Sequence, residues 1–134
     1  MEGRLLTLGI PTFKRPELVI DAVSRALQMG IYDEIIISSN SHEDLLTDFI
    51  TQLDNPNVVY YQHVENVGMS ENYKNVIKLC SCKYLHILSD EDSIDRKSLE
   101  LLYAKLLNGE NLPLVVLSVV TVDGGMYKNA GEER

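Results

Sequence analysis

Apolar residues fall along this chain in short continuous runs that alternate with stretches of helical period. The runs are Leu5 to Ile10 (LLTLGI), Glu34 to Ser38 (EIIIS), Val58 to Gln62 (VVYYQ), Tyr84 to Leu88 (YLHIL) and Leu114 to Val122 (LVVLSVVTV). They are short, apolar on both faces and β-branched, as parallel strands covered on both sides must be; a half-exposed strand would alternate. Pro16 to Met29 reads as a helix, with a proline tolerated in its first turn and Gly30 as a C-terminal stop. A second helix opens at Ser41 or His42 and runs to Leu53, with Glu43 and Asp44 favourably placed in its first turn. A third runs from a Ser70 cap through Leu79, and a fourth covers roughly Lys97 to Leu107, capped by Ser93 or Asp95.

The order βαβαβαβαβ with right-handed crossovers predicts an α/β fold: a doubly wound, mainly parallel, Rossmann-like sheet with helices on both faces. Residues 1–122 contain no linker or repeat and read as one unit, and 123–134 (DGGMYKNAGEER) as a polar tail or edge hairpin. Exposed edges of such a sheet would allow self-association.

Composition narrows the partners. The chain has 134 residues, 45% hydrophobic and 24% charged, enough for a packed core. A net charge of -8 argues against nucleic acid and anionic membrane surfaces, which want a positive face. No run is long and apolar enough to span a bilayer, and MEGRLLTLGIP lacks the shape of a signal peptide. With Cys80 and Cys82 the only cysteines, a disulfide framework is not expected. The expected setting is the reducing cytoplasm, with peripheral placement at the inner membrane surface left open.

In open α/β sheets ligands bind beyond the carboxyl ends of the strands, where strand order reverses. The segments in that position are Pro11-Thr12-Phe13-Lys14-Arg15, Ser39-Asn40-Ser41-His42, His63 to Met69 with Asn66 and Gly68, and Asp90-Glu91-Asp92. The first carries a ring, a hydroxyl and two cations, which can stack a base, bond a ribose or phosphate and neutralise charge. In the last, Asp90 and Asp92 are two apart and in extended backbone would aim the same way. Two converging carboxylates repel unless a cation lies between them. Oxygen-only ligands suit Mg²⁺ or Mn²⁺, which keep waters and share phosphate oxygens with a substrate.

A D-x-D in an acidic chain is equally a solvated turn with helix-capping acids; its position directly after a buried strand favours a metal–diphosphate site. Other candidates read more simply. Cys80 and Cys82 lack the companions a zinc site needs and read as core or helix-end thiols. His86 lies within a strand and reads as a satisfied buried residue. His42 and His63 sit at the site edge with no nucleophile to pair with. Tyr60 and Tyr61 read as packing, and Glu43, Asp44 and Asp48 as an exposed helix face.

The segments LTLGIPTFKRPELVIDAV, DEIIISSNS and ENVGMSENYKNVIKLCSCKYLHILSDED, in that order at successive strand ends, resemble family-2 glycosyltransferases of the GT-A fold. That family's first strand ends in Pro-Thr-(Tyr/Phe)-Asn-Arg, its third in an Asn-x-Gly segment and its fourth in D-x-D. The resemblance implies a donor-binding part over residues 1–122. It also implies metal-dependent, inverting transfer from a nucleotide-diphosphosugar, a UDP-sugar first of all, to a saccharide, lipid-linked or other hydroxyl acceptor. Pro11, Thr12, Phe13 and Arg15 would then line the nucleotide pocket. Asn66 and Gly68 would shape the wall beside the diphosphate, and Asn72 or Lys74 would reach inward. Asp90 and Asp92 would form the Mg²⁺ or Mn²⁺ pair, Asp92 as the direct ligand and Asp90 toward the ribose or donor sugar; Glu91 counts with the nucleotide-sugar-binding residues, although in extended backbone it points the other way. The acid that family members place after strand 2 is replaced by Ser39 and Asn40, which can still hydrogen-bond a base. The general base cannot be assigned to any residue of this chain. The alternative is a non-catalytic nucleotide-sugar-binding or interaction module. A phosphoacceptor receiver would want acids where Pro-Thr-Phe stands, and a nucleotidyltransferase a glycine-rich loop there.

Overall fold

The first four apolar runs become strands β1 (Leu6–Thr12), β2 (Glu34–Ser39), β3 (Val58–Gln62) and β4 (Tyr84–Ile87) in a computed structural model that describes residues 4–109. Helices α1 (Pro16–Met29), α2 (Asp44–Leu53), α3 (Met69–Leu79) and α4 (Arg96–Leu107) alternate with them. The expected fifth strand, Leu114 to Val122, and the expected tail lie outside the described residues. The chain divides into two compact units, one up to Arg96 and one from Lys97. In the second, α4 buries Leu99 and Leu106. No described helix is long and apolar enough to cross a membrane.

Every described strand pairing is parallel, in the order β3-β2-β1-β4. Consecutive strands step outward from β1 to β3, and the chain then returns to the other side of β1. The reversal therefore lies between β1 and β4. The side-chain alternation of β1 and β2 separates two faces. Leu8, Ile10, Ile35 and Ile37 join Val19, Ala22, Val23 and Ala26 of α1 and Leu46 of α2 in one buried core. Gly9 and Ser38 face α3, which brings Val76 and Asn72 against them.

Local chemistry explains where the elements depart from the apolar pattern. α2 begins at Asp44 rather than Ser41 or His42, because Ser41 is held in a side-chain turn: its N–H donates to Ser39 Oγ at 3.2 Å. Its own hydroxyl accepts the Lys14 N–H at 2.8 Å. α3 begins one residue early, at Met69, so Ser70 lies inside it instead of capping it; the cap position falls to Gly68, with φ 90° and ψ 163°. Only glycine enters that region without strain, so Gly68 is where the chain can turn sharply from loop into helix. β1 runs on through Thr12, which places Pro11 inside a central strand. A proline there normally costs a ladder bond. Gly9 turns its carbonyl toward β4, accepting from Leu88 N–H at 2.9 Å. Pro11, two residues on, faces the same side, beyond the last residue of β4, so its missing N–H falls past the end of the β1–β4 pairing.

Candidate functional site

The reversal point brings the end of β1 beside the turn that follows β4. Thr12, the last residue of β1, donates its hydroxyl to Asp90 Oδ2 at 2.7 Å. Arg15, at the cap position of α1, donates Nη1 to Asp90 Oδ1 at 3.1 Å and also to Glu91 Oε1. Both oxygens of Asp90 are thus occupied by residues more than seventy positions away, and the residue is only 8% exposed. The hydrogen bond to Glu91, followed by the charges of Asp90 and Glu91, holds the Arg15 guanidinium above its ordinary pKa. These are charge-assisted contacts, the stronger kind.

The acids themselves lie in a turn, with the Asp92 N–H donating to Ser89 O at 3.0 Å. The extended backbone assumed for Asp90 and Asp92 is therefore replaced by a turn, because β4 stops at Ile87. Glu91 is drawn onto Arg15 beside Asp90. The turn still gathers Asp90, Glu91 and Asp92 along one small cleft of about 80 Å³ against Leu18 and Asp21 of α1. Asp92 is exposed, and no described side chain bonds to it. Among the described residues no group of three or more acids, histidines or cysteines is placed to hold a metal. The donor set fits a hard cation that draws most of its ligands from phosphate and water, and does not fit an all-protein cage.

Around this centre the predicted residues divide into two kinds. Phe13 is 42% exposed, with the Lys14 ammonium 5.1 Å from its ring centroid. Lys14 adopts φ 58°, a left-handed turn secured by the bond from its N–H to Ser41. Pro11 is buried beneath them. Phe13, Lys14 and Arg15 therefore form the accessible rim, while other residues hold the frame. Asn40 accepts Val67 N–H at 3.1 Å and donates to Gly68 O at 3.0 Å, clamping the loop after β3 to the end of β2. Asn66 closes that loop by accepting Gly68 N–H at 2.9 Å. Ser39 donates to Ser41 O at 2.8 Å, so its hydroxyl is engaged within its own turn.

Asn72 and Lys74, expected to reach inward, take different places. Asn72 is 3% exposed and its amide is fully used. It donates to Ser38 O at 2.9 Å and Thr12 O at 3.4 Å, and accepts from Ser38 Oγ at 2.6 Å, with His63 Nε2 at 3.0 Å. It ties β1, β2 and α3 together. Lys74 is exposed, pairs with Glu71 at 3.1 Å, and lines a separate groove with His63, Val67, Asn75 and Lys78.

Sequence reasoning did not find the roles of Ser38 and Asn75, which complete the Asn72 network; Asn75 donates to Ser38 Oγ at 2.9 Å. The hint available was a serine within an otherwise apolar strand, which when buried must find partners. Glu34, at the opposite end of β2, is a second buried polar centre. Its carboxylate accepts from Thr7 Oγ1 at 2.9 Å, Ser81 N–H at 3.0 Å and Ser81 Oγ at 2.8 Å, and faces Arg4 at 3.7 Å. His86 is satisfied, as expected of a strand histidine, by Tyr32 Oη at 2.8 Å from its Nδ1, and burial lowers its pKa. Cys80 and Cys82 are free thiols at the end of α3.

Solved structures share this arrangement. The crystal structure of S. aureus TarS 1-349 superposes with a TM-score of 0.62 at 14% identity, over 90% of this chain and 43% of that one. The crystal structure of S. aureus TarS gives the same TM-score and identity, over 90% of this chain and 26% of its own. At that identity the likeness is one of fold, and this chain spans less than half the length of either. No curated protein matches the chain. The family model described as glycosyl transferase family 2 matches residues 7–132, nearly the whole sequence. The parallel α/β sheet agrees with that match, and the chain belongs to glycosyl transferase family 2.

Proposed function

We propose that this chain is the donor-binding part of a metal-dependent glycosyltransferase that moves a sugar from a nucleotide-diphosphosugar, a UDP-sugar first of all, to an acceptor hydroxyl. The observation that carries the reading is Asp90, held by Thr12 and Arg15 across the reversal point with the exposed Asp92 two residues on. Phe13 offers its open face to the base, and Arg15 offers its guanidinium to the diphosphate. Thr12 holds Asp90 in place toward the ribose or donor sugar, and Ser39 and Asn40 border the base. Asn66 and Gly68 set the loop that walls the diphosphate. Asp92, with Asp90 beside it, would hold Mg²⁺ or Mn²⁺, which supplies positive charge to the leaving diphosphate when bound. Inversion at the anomeric carbon and a saccharide or lipid-linked acceptor belong to the same reading.

The test is calorimetric titration with UDP, with and without Mn²⁺. Binding is expected to be markedly tighter with the metal, and Asp92→Asn is expected to abolish that increment while leaving the thermal melting point within a few degrees of wild type. Equal affinity with and without Mn²⁺ would remove the role assigned to the acids. Release of free sugar from a UDP-sugar, followed in the same samples, separates transferase chemistry from binding alone.

A further inference from the structure

Arg15 is committed to the acids that the proposed site assigns to a cation. Its Nη1 lies 3.1 Å from Asp90 Oδ1 and also contacts Glu91. The two ends of this contact differ in freedom. Asp90 is buried and pinned through its other oxygen by Thr12. The Arg15 side chain is 46% exposed and that of Glu91 63% exposed. Only the backbone of Arg15 is anchored, its carbonyl accepting the Val19 N–H at 3.3 Å as α1 begins. A long side chain on a fixed backbone can leave its partner without disturbing the fold.

A divalent cation approaching Asp90 meets a guanidinium already on the oxygen it would use. Two cations sharing one carboxylate oxygen repel strongly at this distance. We infer that Arg15 is an exchangeable counter-ion: it neutralises the acidic turn while the site is empty, and a metal-bound diphosphate displaces it from Asp90 and Glu91 onto the phosphate oxygens. The inference rests on the proposed diphosphate site and adds to it a coupling between metal and nucleotide. The metal releases Arg15 from the acids, and the phosphates receive it. By linkage, nucleotide must favour metal binding by the same factor as metal favours nucleotide. Arginine suits the exchange because its planar fork pairs equally well with a carboxylate or a phosphate.

Opposite signs distinguish this role from a structural one. Mn²⁺ alone is measured by water-proton relaxation, and UDP at saturating Mn²⁺ by calorimetry, on wild type, Arg15→Gln and Arg15→Lys. Removing the competing cation should tighten Mn²⁺ alone by about threefold to fivefold, the upper range for a partly exposed ion pair. The same substitution should weaken UDP in the presence of Mn²⁺ by about tenfold, as loss of a charge-assisted contact implies. Arg15→Lys should lie between the two for both ligands. A residue that only held the fold would weaken both. If Arg15→Gln binds Mn²⁺ no more tightly than wild type while wild type still takes up UDP with Mn²⁺, the exchange is overturned and the diphosphate site stands. If wild type takes up neither Mn²⁺ nor UDP, the diphosphate site fails and the exchange fails with it.

Discussion

Gly9→Ala tests the packing on which the site rests. A Cβ at Gly9 would stand 2.3 Å from Val76 Cγ1 and 3.1 Å from Leu85 Cδ1. Carbon atoms in contact prefer about 3.5–4.0 Å, so something has to move. The Leu85 methyl is the end of a flexible side chain and can shift by the few tenths of an ångström required. Val76 has no such freedom: it is fully buried, and a β-branched side chain in a helix has one strongly preferred χ1. Relief therefore falls on α3, which would have to retreat from β1 by about 1 Å to restore ordinary contact. Asn72, one turn earlier on the same helix, bonds to Ser38 at 2.6 and 2.9 Å, and those bonds would stretch.

Overpacking of this kind costs about 1–3 kcal/mol, and because a helix must move, the upper half of that range is expected. With a urea slope of about 1–3 kcal/mol per molar for a domain of this size, the unfolding midpoint should fall by about 1 M. Urea unfolding followed by far-UV circular dichroism measures it. Val76→Ala opens the space, at a cost of about 1–2 kcal/mol by itself. The Gly9→Ala/Val76→Ala double mutant should then be more stable than the two single losses predict, with a coupling of about 1–2 kcal/mol. A Gly9→Ala protein within about 0.5 kcal/mol of wild type, or a strictly additive double mutant, would refute the reasoning.

Two other substitutions probe the buried polar centres. Asn72→Leu keeps the volume but removes the acceptor of the Ser38 hydroxyl and the amide donor on the Ser38 carbonyl, leaving Asn75 as the donor to Ser38 Oγ, so a loss of about 1–3 kcal/mol is expected in the same urea assay, and an unchanged midpoint would show that the network contributes nothing. Glu34 titrates below its ordinary value of 4.5: burial pushes its pKa up, but hydrogen bonds from Ser81 and Thr7 and the Arg4 charge outweigh that. A carboxyl depressed in the folded state stabilises above the unfolded pKa and loses that contribution as pH falls through the folded value. Wild-type stability should therefore drop as pH falls below the ordinary value of 4.5, and Glu34→Gln, less stable at neutral pH, should show a flatter acid limb. Parallel pH profiles for the two proteins would contradict this.

The succession of elements could be read from the chain because it is a local property. The β-branched runs and the 3.6-residue periods between them place β1 to β4 and α1 to α4 to within a few residues, and α1 and β3 at their observed bounds. The ends that moved did so through contacts distant in sequence or through turn geometry: Ser41 is claimed by Lys14 and Ser39, and Gly68 supplies a φ that no periodicity announces. The segments that follow the strands could be picked out as candidates in the same way, because open α/β sheets bind ligands beyond the carboxyl ends of their strands.

What each of those residues does depends on neighbours that spacing does not reveal. Asp90 and Asp92 look equivalent in D-x-D. Folding buries one against Thr12 and Arg15 and leaves the other open, because the strand ends before the acids and the chain turns. Asn72 and Lys74 stand two apart on one helix, and the 100° per residue of α-helical rotation sends one into the sheet and the other to solvent. Composition and period set the elements, because backbone sterics and the burial of apolar runs act over a few residues. The pairing of a cation at residue 15 with acids at 90 and 91 required strand order, because only the return of the chain beside β1 brings charges so far apart in sequence within hydrogen-bonding distance.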